Sequence, residues 1–277
     1  MKLYRAIKSM FKAFFNEFSS LIINFYLFRI KETIILPEKE KKVISFCLFG
    51  SDQKYFGNIS ACIESYHTLF KNWIIRIYIS EDLPNEIINK LKEYNCELIT
   101  MKAKGIDYRY TFWRFLVLDD KNVSIALIRD IDSIASKREQ TMVDQWLDSQ
   151  IMLHIIRDHP DHADLIMGGL FDRRFDASFN VKKAMYSFKK INQLGIDQQF
   201  LKSVYEHYAP AILVHDIFKR YPTEHPIIIP HEDNCSFVGE INMEHRHKQR
   251  DLNNLKQFYR SDINTANTAQ QFVQDEL

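Results

Sequence analysis

From residue 43 onward the apolar residues fall into two rhythms. Residues 43–49 form a nearly unbroken apolar run that stops at Gly50, the pattern of a strand buried on both faces. Apolar side chains then recur three and four apart at Ile59, Cys62, Ile63, Tyr66, Leu69 and Phe70, which predicts a helix capped by Asn58. A run at 73–79 predicts a second strand, Ile87, Ile88 and Leu91 a helix opening near Pro84, and residues 96–101 a third strand. Strand, helix, strand, helix, strand is the order of a parallel sheet with right-handed crossovers, so the opening half is Rossmann-like. Farther on, the pattern predicts a short helix at 112–118, a strand at 123–128 and a strand at 151–156. Between those two strands Ser136, followed three residues later by Glu139, matches a capping box, with Met142, Val143, Trp146 and Leu147 as the buried face of its helix. Val181, Ala184, Met185, Phe188 and Ile191 mark one later helix, and Phe200, Leu201, Val204, Tyr205 and Tyr208 another. The fold class is α/β: a central, mostly parallel sheet flanked by helices.

Both ends of the chain differ from this middle. Residues 1–36 mix Lys2, Arg5, Lys8 and Lys12 with Phe11, Phe14, Phe15 and Phe18, which predicts an amphipathic helical segment. It suits a helix lying on an anionic membrane surface, or one packed on its own domain or on a partner subunit. Its longest uncharged run, 18–28, is too short to span a bilayer, which takes about 20 apolar residues. A charged linker at 38–42 leads into the main domain, 43–250, and residues 251–277 read as a polar, loosely ordered tail.

Charge and cysteines narrow the class. The formal net charge is +1, with 37 basic against 36 acidic side chains, so there is no general basic field to hold nucleic acid. Cys47, Cys62, Cys96 and Cys235 lack CxxC spacing and read as reduced core thiols of a cytoplasmic protein, free or at the cytoplasmic face of the inner membrane.

The chemistry concentrates in a few places. Arg129-Asp130-Ile131-Asp132 closes an apolar strand, and in an open α/β sheet the carboxyl ends of the strands are where ligands bind. Alternation puts Asp130 and Asp132 on one side, where they can face one hard cation, Mn²⁺ or Mg²⁺, that substrate phosphates complete. The densest polar cluster is 154–162. There Arg157 can fork onto a phosphate, and Asp158 or His159 can bind ligand hydroxyls or act as a general base, while His162 reads as a solvated loop histidine.

Phe112-Trp113-Arg114-Phe115-Leu116 followed by Arg129-Asp130-Ile131-Asp132-Ser133 resembles the Tyr-Arg and Asp-x-Asp block of GT-A glycosyltransferases. The likeness is to capsular-polysaccharide transferases with an Arg-Asp-x-Asp-Ser motif and, more distantly, to the glycogenin and lipopolysaccharide galactosyltransferase group. It extends over 43–239. It implies a GT-A fold, a nucleoside diphosphate sugar donor with UDP favoured over GDP, and a glycan or lipid-linked glycan acceptor in surface-polysaccharide assembly. It further implies that Asp132 holds the metal, that Asp130 contacts ribose or metal, and that Arg114 braces the acids or the donor. Phe49-Gly50-Ser51 then stands where such enzymes hold base and ribose, Gly168-Gly169 where backbone lies against the donor sugar, and Asp197-Gln198 where an Asp-Gln element enters the sugar site.

Asp197 equally fits a helix N-cap. The Gly-Gly and Asp-Gln elements favour retaining transfer, while an inverting route would take Asp158 or Asp197 as base. The histidine that many relatives place before a C-terminal Phe-x-Gly is Ser236 here, so His231, His245 or His247 is left to supply the third metal ligand. Arg129 stands where many relatives have an apolar residue and implies an altered phosphate grip. Two other functions fit the same residues: an inactive scaffold subunit, and a metal phosphohydrolase using Asp130, Asp132, Asp158 and His159. A homo-oligomer is compatible with all three.

Overall fold

Strands β1 (Ile30–Ile34), β2 (Lys41–Leu48), β3 (Ile74–Ser80), β4 (Cys96–Met101), β5 (Val123–Arg129), β6 (Leu153–Arg157), β7 (Leu170–Arg174) and β8 (Ile212–Asp216) build one 8-stranded sheet in the order β1-β4-β3-β2-β5-β7-β6-β8. The computed structural model describes residues 8, 10, 22, 24, 26–188, 191–209, 211–231, 236–241 and 249–259. Strands β4, β3, β2 and β5 run parallel, as the alternation with helices requires. β1 joins β4, and β7 joins β5 and β6, antiparallel; β8 is parallel to β6. The sheet is therefore mixed, with helices on both faces.

Alternation along β2 shows how the two faces fill. Val43 and Cys47 belong to one apolar cluster, Ile44, Phe46 and Leu48 to the other. Helices α1 (Gln53–Leu69), α2 (Asn85–Glu93) and α3 (Lys137–Ser149) cover the second face through residues such as Ile59, Tyr66, Leu91 and Trp146. The first face is covered by α4 (Val181–Ser187), α5 (Ile196–Tyr208) and a 3₁₀ segment, Tyr108–Asp119. That segment was expected as a short helix at 112–118. In a 3₁₀ helix side chains three apart line up. Phe112, Phe115 and Leu118 accordingly enter the core, while Tyr108, Thr111 and Arg114 form a row facing away from it, toward a cleft.

Three strands escape the hydrophobic pattern. β1 lies inside the segment expected as helical, but Ile30–Ile34 instead pairs along the edge of β4, with all five residues exposed. Next to it, Leu27 and Phe28 pack on the domain itself: Trp113 Nε1 donates to Leu27 O at 2.7 Å, and Phe28 stacks on Tyr186. Most of 1–25 lies outside the described residues. β7 carries Asp172 and Arg173 in its buried centre and so lacks the apolar signature of a strand. β8 is only five residues long. The expected loose tail also differs, because residues 249–259 are helical, with Leu255 buried. Residues 260–277, His245, His247 and Cys235 lie outside the described residues.

Buried charges link β5, β6, β7 and β8. Arg129 donates from Nε to Glu139 at 2.5 Å and from Nη1 to Asp172 at 2.6 Å. The other oxygen of Asp172 meets His154 Nδ1 at 2.6 Å, His154 Nε2 meets His215 Nδ1 at 2.8 Å, and His215 Nε2 faces the Gln145 side-chain amide at 2.9 Å. The capping box is thus half made. Ser136 Oγ accepts from the Glu139 N–H at 3.1 Å, but the Glu139 carboxylate turns to Arg129 and Tyr66 instead of the helix end.

Burial disfavours the imidazolium throughout: it lowers the pKa of His154, and it lowers His215, beside His154, and His162, beside His159, to about 3. In the unfolded chain these rings take up protons near pH 6.5, so between the two values the unfolded state binds more protons and stability is lost as the pH is lowered. The expected loss is about 1.4 kcal/mol per pH unit for each of His162 and His215. Urea midpoints should hold from pH 8 to 7, then fall steadily from about pH 6 to 4.5, with a shallower slope in His215→Gln. A midpoint constant down to pH 4.5 would contradict neutral burial of these rings.

Candidate active site

The carboxyl ends of β2 and β5 open into a cleft of about 610 Å³, within the range of small-molecule sites. Phe49, Gly50 and Ser51 follow β2 along one wall; Asp130 and Asp132 follow β5; Arg114 comes from the 3₁₀ segment; Gly168 and Gly169 precede β7; Asp197 and Gln198 open α5. Ile131 turns into the core between the two acids, so the alternation that puts Asp130 and Asp132 on one side persists beyond the strand end.

Arg114 organises the centre. Its side chain is buried, Nη1 bonds to Asp130 Oδ1, and Nη2 donates to Asp197 Oδ2 at 2.7 Å. Burial works against its charge, yet Asp130, and with it Asp197, holds its pKa above the ordinary arginine value. Both carboxylates lie against the double glycine. A Cβ on Gly168 would stand 2.6 Å from Asp197 Oδ2 and 2.7 Å from Arg114 Nη2, and one on Gly169 would stand 2.0 Å from Asp130 Oδ2. The glycines are there because protein carboxylates occupy the space a side chain would need. Asp197 is not a cap: the N-cap of α5 is Gly195, at φ +76°, with no side-chain cap bond. Asp197 instead sits in the first turn, where the helix dipole favours its charge. Gln198 Nε2 approaches Met167 Sδ at 3.6 Å. Cys47 also lines the cleft, but burial pushes its thiol up to about 12, so it remains protonated and is no nucleophile.

The remaining sequence candidates are drawn elsewhere. Arg129, expected on the donor phosphates, is fully buried in the ion network beneath the cleft. Arg157 is likewise sealed, paired with Asp216 at 2.8 Å and with Glu224. Asp158 accepts two bonds of 2.7 Å from Arg138 and one of 2.9 Å from the Val238 N–H, and lies 3.3 Å from His231 Nε2. Burial alone would raise its pKa; Arg138 and His231 keep it below the usual carboxylate range. His159 packs on Phe237 and meets the Asp251 carbonyl through Nε2 at 2.8 Å. His231, expected as a metal ligand, meets Asp158 and the Tyr259 hydroxyl.

None of these five lines the cleft. Each charge has found a closer partner, because a buried ion costs several kcal/mol unless it is paired. The phosphohydrolase set of Asp130, Asp132, Asp158 and His159 is thereby taken apart. Conversely, Tyr108, Thr111, His162, Leu194 and Ile241 line the cleft without having been anticipated. The i, i+3 spacing of Tyr108, Thr111 and Arg114 was the available signal for two of them.

Two carboxylates, Asp130 with its side chain 49% exposed and Asp132, offer hard oxygen ligands in the cleft. Among the described residues no three His, Cys, Asp or Glu side chains converge as a ready metal site. The pair suits a cation that arrives with phosphate, since Mg²⁺ and its like bind through one or two carboxylates and complete their shell with phosphate oxygens and water.

No family model matches the sequence, and no curated protein matches it. Among solved structures the chain is similar to 4-diphosphocytidyl-2C-methyl-D-erythritol synthase from Anaerococcus prevotii, at 13% identity over 64% of this chain and 89% of that one, TM-score 0.44. It is similar to glucosyl-3-phosphoglycerate synthase from Mycobacterium tuberculosis, solved with Mn²⁺, UDP-glucose and phosphoglyceric acid, at 11% identity over 66% and 73%, TM-score 0.44. A third similarity is to a glycosyltransferase involved in glycosylation of the major capsid of PBCV-1, at 15% identity over 65% and 83%, TM-score 0.40. Likenesses of this degree leave the function to be argued from the chain's own residues.

The packing of the glycines makes a paired prediction. Gly169→Ala forces Asp130 off Arg114 and should lower unfolding free energy by about 1–3 kcal/mol in urea titration. Gly57→Ala, within α1 and facing open space, should raise it by about 0.5–1 kcal/mol. Equal effects at the two positions would contradict the close approach at Gly169.

Proposed function

We propose that this protein is a metal-dependent glycosyltransferase of the GT-A type whose donor is a nucleoside diphosphate sugar, UDP-linked in preference to GDP-linked. The observation that carries the reading is the charge balance of the cleft. Asp52, Asp130, Asp132 and Asp197 line it, and among the described lining residues Arg114 is the single Arg or Lys, already engaged by two of the acids. Such a surface repels a diphosphate unless a divalent cation intervenes, and Asp130 and Asp132 are the residues that would hold it. The cation supplies Lewis-acid stabilisation of the leaving nucleotide diphosphate.

The chain's own groups do the rest. Arg114 fixes Asp130 and Asp197 and reduces their mutual repulsion. Gly50, at φ +79° beside Ile106, keeps the wall after β2 close to backbone, where base and ribose can lie. Asp197, at the mouth of α5, faces the donor sugar with Gln198 and is the carboxylate left for base work, since Asp158 is withdrawn. The acceptor on this reading is a glycan hydroxyl, in line with assembly of a surface polysaccharide. Among the described residues no helix is long and apolar enough to cross a membrane.

Calorimetric titration of UDP and GDP, each with and without Mn²⁺, into wild type and Asp132→Ala tests this. One nucleotide should bind with Mn²⁺ present, and Asp132→Ala should weaken it at least tenfold, about 1.4 kcal/mol. Absence of binding by either nucleotide in every condition would overturn the transferase reading in favour of a scaffold role.

A further inference from the structure

The polar cluster at 154–162 leaves one side chain in the cleft. Arg157, Asp158 and His159 turn to buried partners, whereas His162 lines the cleft with 9% of its surface open. Its ring is held from several sides. The His162 N–H donates to His159 O at 3.0 Å, closing a turn, and the Asp158 N–H donates to His162 Nδ1 at 3.1 Å. Phe237 meets the ring edge-on at 5.8 Å between centroids, and the His159 ring lies at 5.6 Å.

An imidazole nitrogen that accepts a backbone N–H carries no proton, so the neutral ring holds its proton on Nε2. Protonating Nδ1 would set two N–H groups against each other. Burial, then His159 and Arg220, act in the same direction against the charged form, and Asp158 and Asp161 oppose them without prevailing. His159 uses the same tautomer, with Nδ1 accepting from the Asp161 N–H and Nε2 meeting the Asp251 carbonyl. For His162 no protein acceptor takes the Nε2 proton among the described residues.

We infer that His162 is a fixed, uncharged N–H donor to an oxygen of the nucleotide sugar bound in the cleft. The inference rests on the transferase reading, which supplies that ligand. Neutrality has a use here. A cationic side chain in so acidic a cleft would pair with its carboxylates, whereas a neutral donor binds an oxygen and leaves Asp130 and Asp132 to the cation.

The test titrates UDP and UDP-glucose, with Mg²⁺, into wild type, His162→Phe and His162→Gln. Phenylalanine keeps a ring against Phe237 and removes the donor; glutamine restores a side-chain N–H. His162→Phe should bind about tenfold to a hundredfold more weakly, and His162→Gln should recover most of that loss. Loss with both ligands assigns an oxygen of the shared UDP portion, and loss with UDP-glucose alone assigns an oxygen of the glucosyl group. In parallel, ¹⁵N-histidine NMR of wild type should show His162 as the Nε2–H tautomer from pH 5 to 8, with the Nε2 signal shifting when ligand is added. That measurement answers even where a variant fails to fold. Equal binding by wild type and His162→Phe, or an Nε2 signal indifferent to ligand, overturns the inference alone. No binding of these ligands by wild type, together with no binding of GDP, overturns the transferase reading and this role with it.

Discussion

A guanidinium taken out of water needs partners on more than one side, and the cleft is arranged around meeting that need for Arg114. Asp130 arrives from the end of β5 and Asp197 from the first turn of α5, so one cation ties a strand end, a helix start and the 3₁₀ segment together. The double glycine follows from the same contact. Its two positions lie so close to these carboxylates that no side chain fits at either. Even the 3₁₀ geometry belongs to this arrangement, because a period of three is what presents Arg114 to the cleft while Phe112 and Phe115 stay in the core.

The other buried charges are kept apart from the cleft. Arg129, Arg157 and Arg173 each lie fully buried, and each is met by protein oxygens: Glu139 and Asp172, Asp216 and Glu224, and the Leu118 carbonyl with the Tyr208 hydroxyl. Lys41 and Arg76 close on Glu97 in the same way at the far end of β3. These pairs leave the interior nearly balanced, while the described lining of the cleft sets Asp52, Asp130, Asp132 and Asp197 beside a single guanidinium, that of Arg114. An imbalance of that sign is what the proposed cation would offset, and the separation of the two populations is what makes it legible.

The hydrophobic pattern alone determined the parallel half of the sheet, the helices between its strands and the placing of Asp130 and Asp132 together beyond β5. Those features depend on periodicity, which is local: a strand repeats every two residues and a helix every 3.6. Phe49, Gly50, Ser51, Arg114, Gly168, Gly169, Asp197 and Gln198 were singled out by the resemblance to GT-A transferases and not by periodicity, and all of them line the cleft. β7 was not, because its strand centre is Asp172 and Arg173, polar residues made burial-worthy only by Arg129, His154 and Tyr208 far away in the chain. The same holds for Arg129, Arg157, Asp158, His159 and His231, whose types advertise chemistry and whose partners remove them from it, while His162 stays in the cleft. Whether a charged side chain faces a ligand or another residue turns on which opposite charge lies within about 3 Å, and tertiary structure alone decides that distance.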